Sequence, residues 1–267
     1  MKKLAYLLIL AGIGLATMSA KPGWKNLFNG NDLSNWDMYI GTALRGFEDL
    51  HKNAAPEKIF SVIEEKGEKL IRISGEVNGS LATKEVYENY HLQLVFKWGE
   101  KVCTSRNSGL LYHSFGKFGA SFGTWMANIE HQLMHDNLGD TYLMNNTCCE
   151  TSVAKGEDDG AYSYTPGVEK LKFGEKDNGR SIKKARDMEK PLGEWNTVDL
   201  YCFGRTAVHV VNGKTVMVNT NCGTYEEGGV IKPLNAGKIQ IQSEGGELFI
   251  KSIKIRPVKK LPKKILN

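Results

Sequence analysis

Three short segments place hydrogen-bonding side chains at alternate positions, and one of them carries a carboxylate. That one is Asn128-Ile129-Glu130-His131-Gln132-Leu133-Met134-His135-Asp136. Successive side chains of an extended strand point to opposite faces, so Glu130, Gln132 and Met134 share one face while Ile129, His131 and Leu133 share the other. If Ile129 and Leu133 enter a core, Glu130 and Gln132 point out of it. Ile239-Gln240-Ile241-Gln242 repeats the pattern with two amides, and Arg106-Asn107-Ser108-Gly109 leads into the apolar run Leu110-Leu111-Tyr112-His113. A carboxylate among amides is a candidate general base, because amides can orient a sugar while the acid takes a proton. Glu130 could equally be a surface glutamate or one paired with an arginine, and Gln240 and Gln242 could simply belong to a solvated sheet face. His113 and His135 are the histidines placed best for proton transfer. His131 reads as a satisfied core histidine. Trp125, just ahead of the acid-bearing segment, is counted with the substrate-binding candidates. Asp136 and Asp140 flank a turn and could either hold calcium through oxygen ligands or cap that turn. Apart from such a divalent metal, no cofactor is expected. The chain has no phosphate-binding loop or HExxH motif.

The elements that must position these residues are strands. Asn89–Trp98 alternates, with Tyr90, Leu92, Leu94 and Phe96 on one face. Strands are also predicted over 108–114, 128–135, 196–203, 207–212 and 214–219. Segments 57–63 and 69–73 read as a hairpin around Glu65–Gly67, and Asn212-Gly213 carries the signature of a type I′ turn. Lys238–Pro257 reads as a last hairpin, two alternating runs around a Gly-rich turn. Helices should be few and short, with one turn over 48–52. The stretch 139–192, rich in Gly, Asp, Glu, Lys and Ser, reads as long loops with short strands across one rim, the kind of segment that often carries function. Many short strands with regular turn signals predict an all-β sandwich.

The chain has 267 residues and a formal charge of +5. Lys2 and Lys3 precede an apolar run over 4–15 and then small residues, the pattern of a signal peptide over 1–20. The run is short of the roughly 20 apolar residues a membrane span needs. The expected organisation is a signal peptide 1–20, one β domain 21–258 and a basic tail 259–267 that is a solvated end. An exported protein, in the periplasm or outside the cell, follows, with no membrane insertion. No basic face of the kind nucleic acid requires is evident. Cys103, Cys148, Cys149, Cys202 and Cys222 lack the spacing of a zinc site. Cys202 and Cys222 lie on neighbouring segments and could pair, whereas an odd count leaves at least one thiol free.

Six segments, in order, resemble one family. Trp24-Lys25-Asn26-Leu27-Phe28-Asn29-Gly30-Asn31-Asp32-Leu33-Ser34-Asn35-Trp36 is similar to its entry motif LFNGKDLSGW. Arg106-Asn107-Ser108-Gly109 resembles its NSG motif, and the Glu130–Gln132 strand its YEVQILD strand. Gly193-Glu194-Trp195-Asn196 resembles GEWN, His209-Val210-Val211-Asn212-Gly213 resembles VxxNG, and the last twenty residues before Val258 resemble the GxIxLQ…IxIRPL ending. The family is that of 3-keto-disaccharide hydrolase domains. The resemblance implies a concanavalin A-like jelly roll of two curved antiparallel sheets with long rim loops and a concave face for carbohydrate. It implies a hydrolase that cleaves or hydrates 3-keto-glucosides and 3-keto-disaccharides after an upstream sugar 3-oxidoreductase has made the ketone. It makes Glu130 the base or acid, sets Asn107, Gln132 and Gln242 to orient the sugar, and gives Arg106 the enolate to stabilise. At His113 many relatives have Arg, which would hand His113 a proton-transfer role. The competing reading is a non-catalytic carbohydrate-binding module of the same fold.

Overall fold

The computed structural model describes residues 23–157 and 160–266. The expected signal peptide lies outside the described residues. Two antiparallel sheets face each other. The first runs, strand by strand, through Trp36–Ile40, Gly79–Thr83, the first half of Ala236–Pro257, Gly109–Phe115, Ala127–Gln132, Thr141–Met144 and Ser181–Ile182. The second runs through Phe60–Glu65, Glu68–Ile73, the second half of Ala236–Pro257, Tyr90–Asn107, Asn196–Phe203, Thr206–Val211 and Lys214–Tyr225. Leu81, Leu110, Tyr112, Ile129 and Ile241 of the first sheet and Ile71, Leu92, Leu94, Phe96, Val198 and Ile250 of the second form one buried cluster between them. These are the apolar members of each alternating run. Burying them is the main favourable contribution, worth about 1.5–3 kcal/mol per large side chain before chain entropy is set against it. The architecture is an all-β, concanavalin A-like jelly-roll sandwich.

Several predicted elements lie where expected. Asn196–Phe203 is a strand with those ends, and Glu48–Lys52 is a single helical turn. Asn212 and Gly213 have φ of 47° and 80°, as a type I′ turn requires. Phe60–Glu65 and Glu68–Ile73 are the predicted hairpin, although Glu57 belongs to a helical turn over Pro56–Ile59. The stretch 139–192 holds more strand than expected: Thr147–Lys155 pairs with Tyr162–Tyr164, Lys170–Gly174 and the end of Lys214–Tyr225 to make a rim sheet.

Three expectations need correcting. Lys238–Pro257 is not a hairpin. It lies in one continuous strand, Ala236–Pro257, whose halves belong to different sheets: Gln240 pairs with Ala82 and Leu111, whereas Ile250 pairs with Ile71 and Phe96. The crossing occurs at Gly245 and Gly246. Gly245 sits at φ 97°, a Cβ on Gly246 would stand 2.7 Å from Arg106 Cα, and a Cβ on Gly75 would overlap the Gly246 backbone. Only bare backbone passes there. The basic tail is not a free solvated end either. It turns back over Lys263–Ile265 and buries Ile265 beside Tyr201, Val208 and Val210, with the Thr215 hydroxyl donating to the Ile265 carbonyl at 2.9 Å. All five cysteines are free thiols and four are buried, so Cys202 and Cys222 do not pair. Burial pushes the thiols of Cys149, Cys202 and Cys222 up, which leaves them unreactive.

Candidate active site

The centre of the first sheet is built around a missing side chain. Gly109 pairs with Gln132, Leu111 with Glu130, and Ile241 with Leu110. Glu130 on one neighbouring strand and Gln242 on the other therefore lean over Gly109. A Cβ there would overlap Glu130 Oε1 and lie 2.5 Å from Gln242 Oε1. Ser108 holds the junction, its hydroxyl donating to the Gln242 carbonyl at 2.9 Å. The Asn-Ser-Gly run thus supplies a lining amide, a strand-to-strand tie and a space, in that order.

The space opens into a pocket of about 310 Å³. Asn107, Glu130, Gln132, Gln242 and Glu244 form its polar side. Phe122, Trp125, Tyr142 and Met144 form an apolar side, and Thr42 and Asn78 lie at the edge. The Trp125 indole N–H donates to the Gly79 carbonyl at 2.9 Å, which fixes the ring and leaves its surface for packing. Phe122 is 55 % exposed and held at φ 49°, an uncommon conformation for a bulky residue.

Five side-chain atoms around this pocket are buried without a hydrogen-bond partner: Asn78 Oδ1, Asn107 Oδ1, Glu130 Oε1, and Oε1 and Nε2 of Gln242. Buried polar groups are normally paired. A larger groove of about 470 Å³, beside Asn29 and Lys251 on the second sheet, has no such atom in its lining. Glu130 is 2 % exposed. Burial, helped by the charges of Glu244 and Asp140, holds its carboxyl well above the usual carboxylate range. Glu244 is half-buried, and burial pushes its carboxyl up to about 7. No Lys, Arg or His lines the pocket, so neither acid has a cation to hold it ionised.

The structure brings Glu130, Asn107, Gln132, Gln242 and Trp125 to one pocket and leaves four other candidates out of it. His113 faces inward. Pairing slips between Tyr112 and Phe115, and His113 has φ 51°; a bulge interrupts the alternation. Its ring packs edge-on to Tyr90 and Tyr112, neither nitrogen has a partner, and burial lowers its pKa to about 3. A neutral ring sealed in the core cannot exchange a proton with a ligand. Arg106 precedes Asn107 in the same strand but is not among the residues that line the pocket. Gln240 is fully engaged: its Oε1 accepts from Ser80 Oγ at 2.8 Å and Met126 N–H at 3.2 Å, and its Nε2 donates to Ser114 Oγ at 2.8 Å. His135 stands outside the pocket, with Nδ1 3.1 Å from Glu189 Oε1 and Nε2 3.6 Å from Asp136 Oδ1. Asp140 is bonded to Lys183 at 3.1 Å and to the Lys184 N–H at 2.8 Å, whereas Asp136 lies on the other side of the turn with His135 and Glu189. His131 lies in the core as expected, but not satisfied: neither nitrogen is bonded, and its ring stacks on His209 at 4.1 Å.

Sequence reasoning missed Glu244, Phe122, Tyr142, Met144, Thr42 and Asn78. Glu244 had a signal, since one further step of the Gln240–Gln242 alternation reaches it. Thr42, Asn78 and Phe122 come from loops with no pattern of their own, and Tyr142 and Met144 from the short strand Thr141–Met144 inside the stretch read as loops.

Fold and pocket together define a β-sandwich with a cleft on one sheet that is polar on one side and aromatic on the other. The sequence matches the 3-keto-alpha-glucoside-1,2-lyase-like domain over residues 23–256, and the chain belongs to that family. Membership places it among carbohydrate-active, glycosyl-hydrolase-like proteins. No curated protein matches it. Among solved structures, it is similar to a provisionally named glycosyl hydrolase from Parabacteroides distasonis ATCC 8503, with 19 % identity, a TM-score of 0.51, and coverage of 88 % of this chain and 100 % of that one. It is also similar to the carbohydrate binding module CBM66 from Bacillus subtilis, with 8 % identity, a TM-score of 0.45, and coverage of 83 % and 95 %. The first likeness supports the fold alone. No helix among the described residues is long and apolar enough to cross a membrane.

Proposed function

We propose that this protein is an exported enzyme that cleaves or hydrates 3-keto-glucosides, with Glu130 exchanging the proton that the chemistry requires. A ketone at C3 acidifies the hydrogen on C2, so a base can remove it and the aglycone can leave from C1. Water then adds to the unsaturated sugar. This route needs proton donors and acceptors and a group that stabilises an enolate oxygen. The observation that carries the reading is the set of buried, unpartnered polar atoms around Gly109. Asn107 Oδ1, Glu130 Oε1 and Gln242 Oε1 ask for hydroxyl donors, and Gln242 Nε2 offers a donor to a carbonyl or enolate oxygen. A lining without cations suits an uncharged sugar. With Arg106 outside the lining, Gln242 takes over the enolate role.

An upstream sugar 3-oxidoreductase would supply the ketone. Incubating the purified protein with 3-keto-glucosides, with and without chelator, and following products by mass spectrometry tests the proposal. Aglycone release in both arms is expected, and intact substrate in both would overturn it. A second reading, a carbohydrate-binding module without turnover, draws on the aromatic surfaces of Phe122, Trp125 and Tyr142 beside the amides, which would hold a sugar without any acid. Saturable binding with no product would favour it.

A further inference from the structure

The polar side of the pocket carries two carboxyl groups in unlike settings. Glu130 projects from the middle of a central strand over Gly109, sealed from water, with Oε1 unpartnered. Glu244 stands two residues beyond Gln242, where the long strand leaves the first sheet, paired with Asn107 and next to the rigid Gly245–Gly246 crossing. It is the more exposed of the two. The Gln240, Gln242, Glu244 alternation gives three depths along one face: a wired amide, an orphaned amide and an acid at the edge.

We infer that the two acids divide the work, Glu244 being the base that removes the C2 proton and Glu130 the acid that protonates the leaving oxygen. The inference rests on the function proposed above. An acid sealed without a cation stays neutral, so it has a proton to give and cannot readily take one. An acid nearer water is ionised for part of the time at neutral pH and can take one, in keeping with the position of the Glu244 carboxyl at about 7. The Glu244 carboxylate accepts the hydrogen from C2, and the electron pair of that bond moves toward the C3 oxygen, where the Gln242 amide donates. The pair then forms the C1–C2 double bond as the C1–O bond breaks, and the Glu130 proton goes to the departing oxygen. The products are an enone and an alcohol, with Glu130 ionised and Glu244 protonated. Hydration runs the same path backwards: Glu130 takes a proton from water, hydroxide adds at C1, and Glu244, its proton exchanged with solvent meanwhile, protonates C2. Both acids end as they began, and no oxidant or reductant is consumed.

The test follows two readouts on the full chain in D₂O with a 3-keto-glucoside: loss of the C2 hydrogen signal by NMR, and aglycone release. The wild type should do both, and cleaved product should carry deuterium at C2. Glu244→Gln should lower exchange and release together, at least about 100-fold. Glu130→Gln should keep C2 exchange within about tenfold of wild type while release falls about 100-fold or more. Glu244→Asp, which keeps the acid but shortens its reach, should recover part of the exchange, and circular dichroism verifies that each variant folds. The wild-type rate should also lose activity as the pH falls through about 7. Exchange at the wild-type rate in a folded Glu244→Gln protein would overturn the assignment alone. A wild type that neither exchanges nor cleaves would overturn the reading beneath it.

Discussion

Gln240 and Gln242 sit two residues apart on one face of one strand, yet one is wired and the other is free. Around Gln240 the neighbours are Ser80, Ser114 and the Met126 amide, which saturate both ends of its side chain. Around Gln242 the neighbour is Gly109, which offers nothing to bond and leaves room. Residue type and alternation are identical in the two places. What separates a structural amide from one available to a ligand is the chemistry of the adjacent strands, which arrive from more than a hundred residues away.

Adding a methyl group should abolish this contrast with the largest effect. Gly109→Ala would push its Cβ into Glu130 Oε1 and against Gln242, so sugar binding, followed by calorimetry, should be lost and the Tm should fall. Retained binding would show that the space beneath the pocket is not needed. Next, the two amides should respond oppositely. Gln240→Ala leaves Ser80, Ser114 and the Met126 N–H unpaired, which should cost about 2–4 kcal/mol in chemical denaturation, with a small further effect on affinity. Gln242→Ala strands no protein partner and should leave stability within about 0.5 kcal/mol while weakening sugar binding about tenfold or more. Equal stability losses would erase the distinction.

Two smaller effects concern pH. The folded-state pKa of Glu130 is raised, so the unfolded chain releases its proton first. Stability due to this group therefore declines as pH rises above about 4.5 toward the folded-state value. Glu130→Gln removes that decline and should raise the Tm near neutrality by several degrees relative to wild type. Three buried histidines act in the opposite sense. His113 is lowered to about 3, His209 to about 4, and His131 well below its usual value, all chiefly by burial. The unfolded chain takes up protons below about 6.5, so stability should fall as pH drops from there toward those values. His113→Phe should flatten the acid limb of the Tm–pH curve. An unchanged slope would mean that the ring is reached by water.

The same contrast sets how much the sequence disclosed. Alternation identified Asn89–Trp98 and Asn196–Phe203 as strands, and the structure pairs them in the second sheet, because a buried face imposes its period wherever it occurs. It also put Glu130, Gln132 and Gln242 on the side that faces the pocket. Alternation is silent about partners, however. The two runs flanking Gly245–Gly246 look the same whether they fold onto each other or cross between sheets. It is equally silent about bulges: one irregular residue between Tyr112 and Phe115 turned His113 inward. Gln240 and Gln242 could not be told apart, since alternation does not say which segments lie beside a strand, and Ser80, Ser114 and Met126 reach Gln240 from more than a hundred residues away. Glu244 was within reach, one step further along a pattern already in view.

The claim on which the rest depends is that the sealed carboxyl of Glu130 exchanges protons with a bound 3-keto sugar. The most direct measurement is aglycone release from a 3-keto-glucoside by wild type and by Glu130→Gln, alongside calorimetric binding of the same sugar to both. The account predicts wild-type cleavage, a loss of orders of magnitude in the variant, and binding that survives the substitution. A folded Glu130→Gln protein that releases the aglycone as fast as wild type would contradict it.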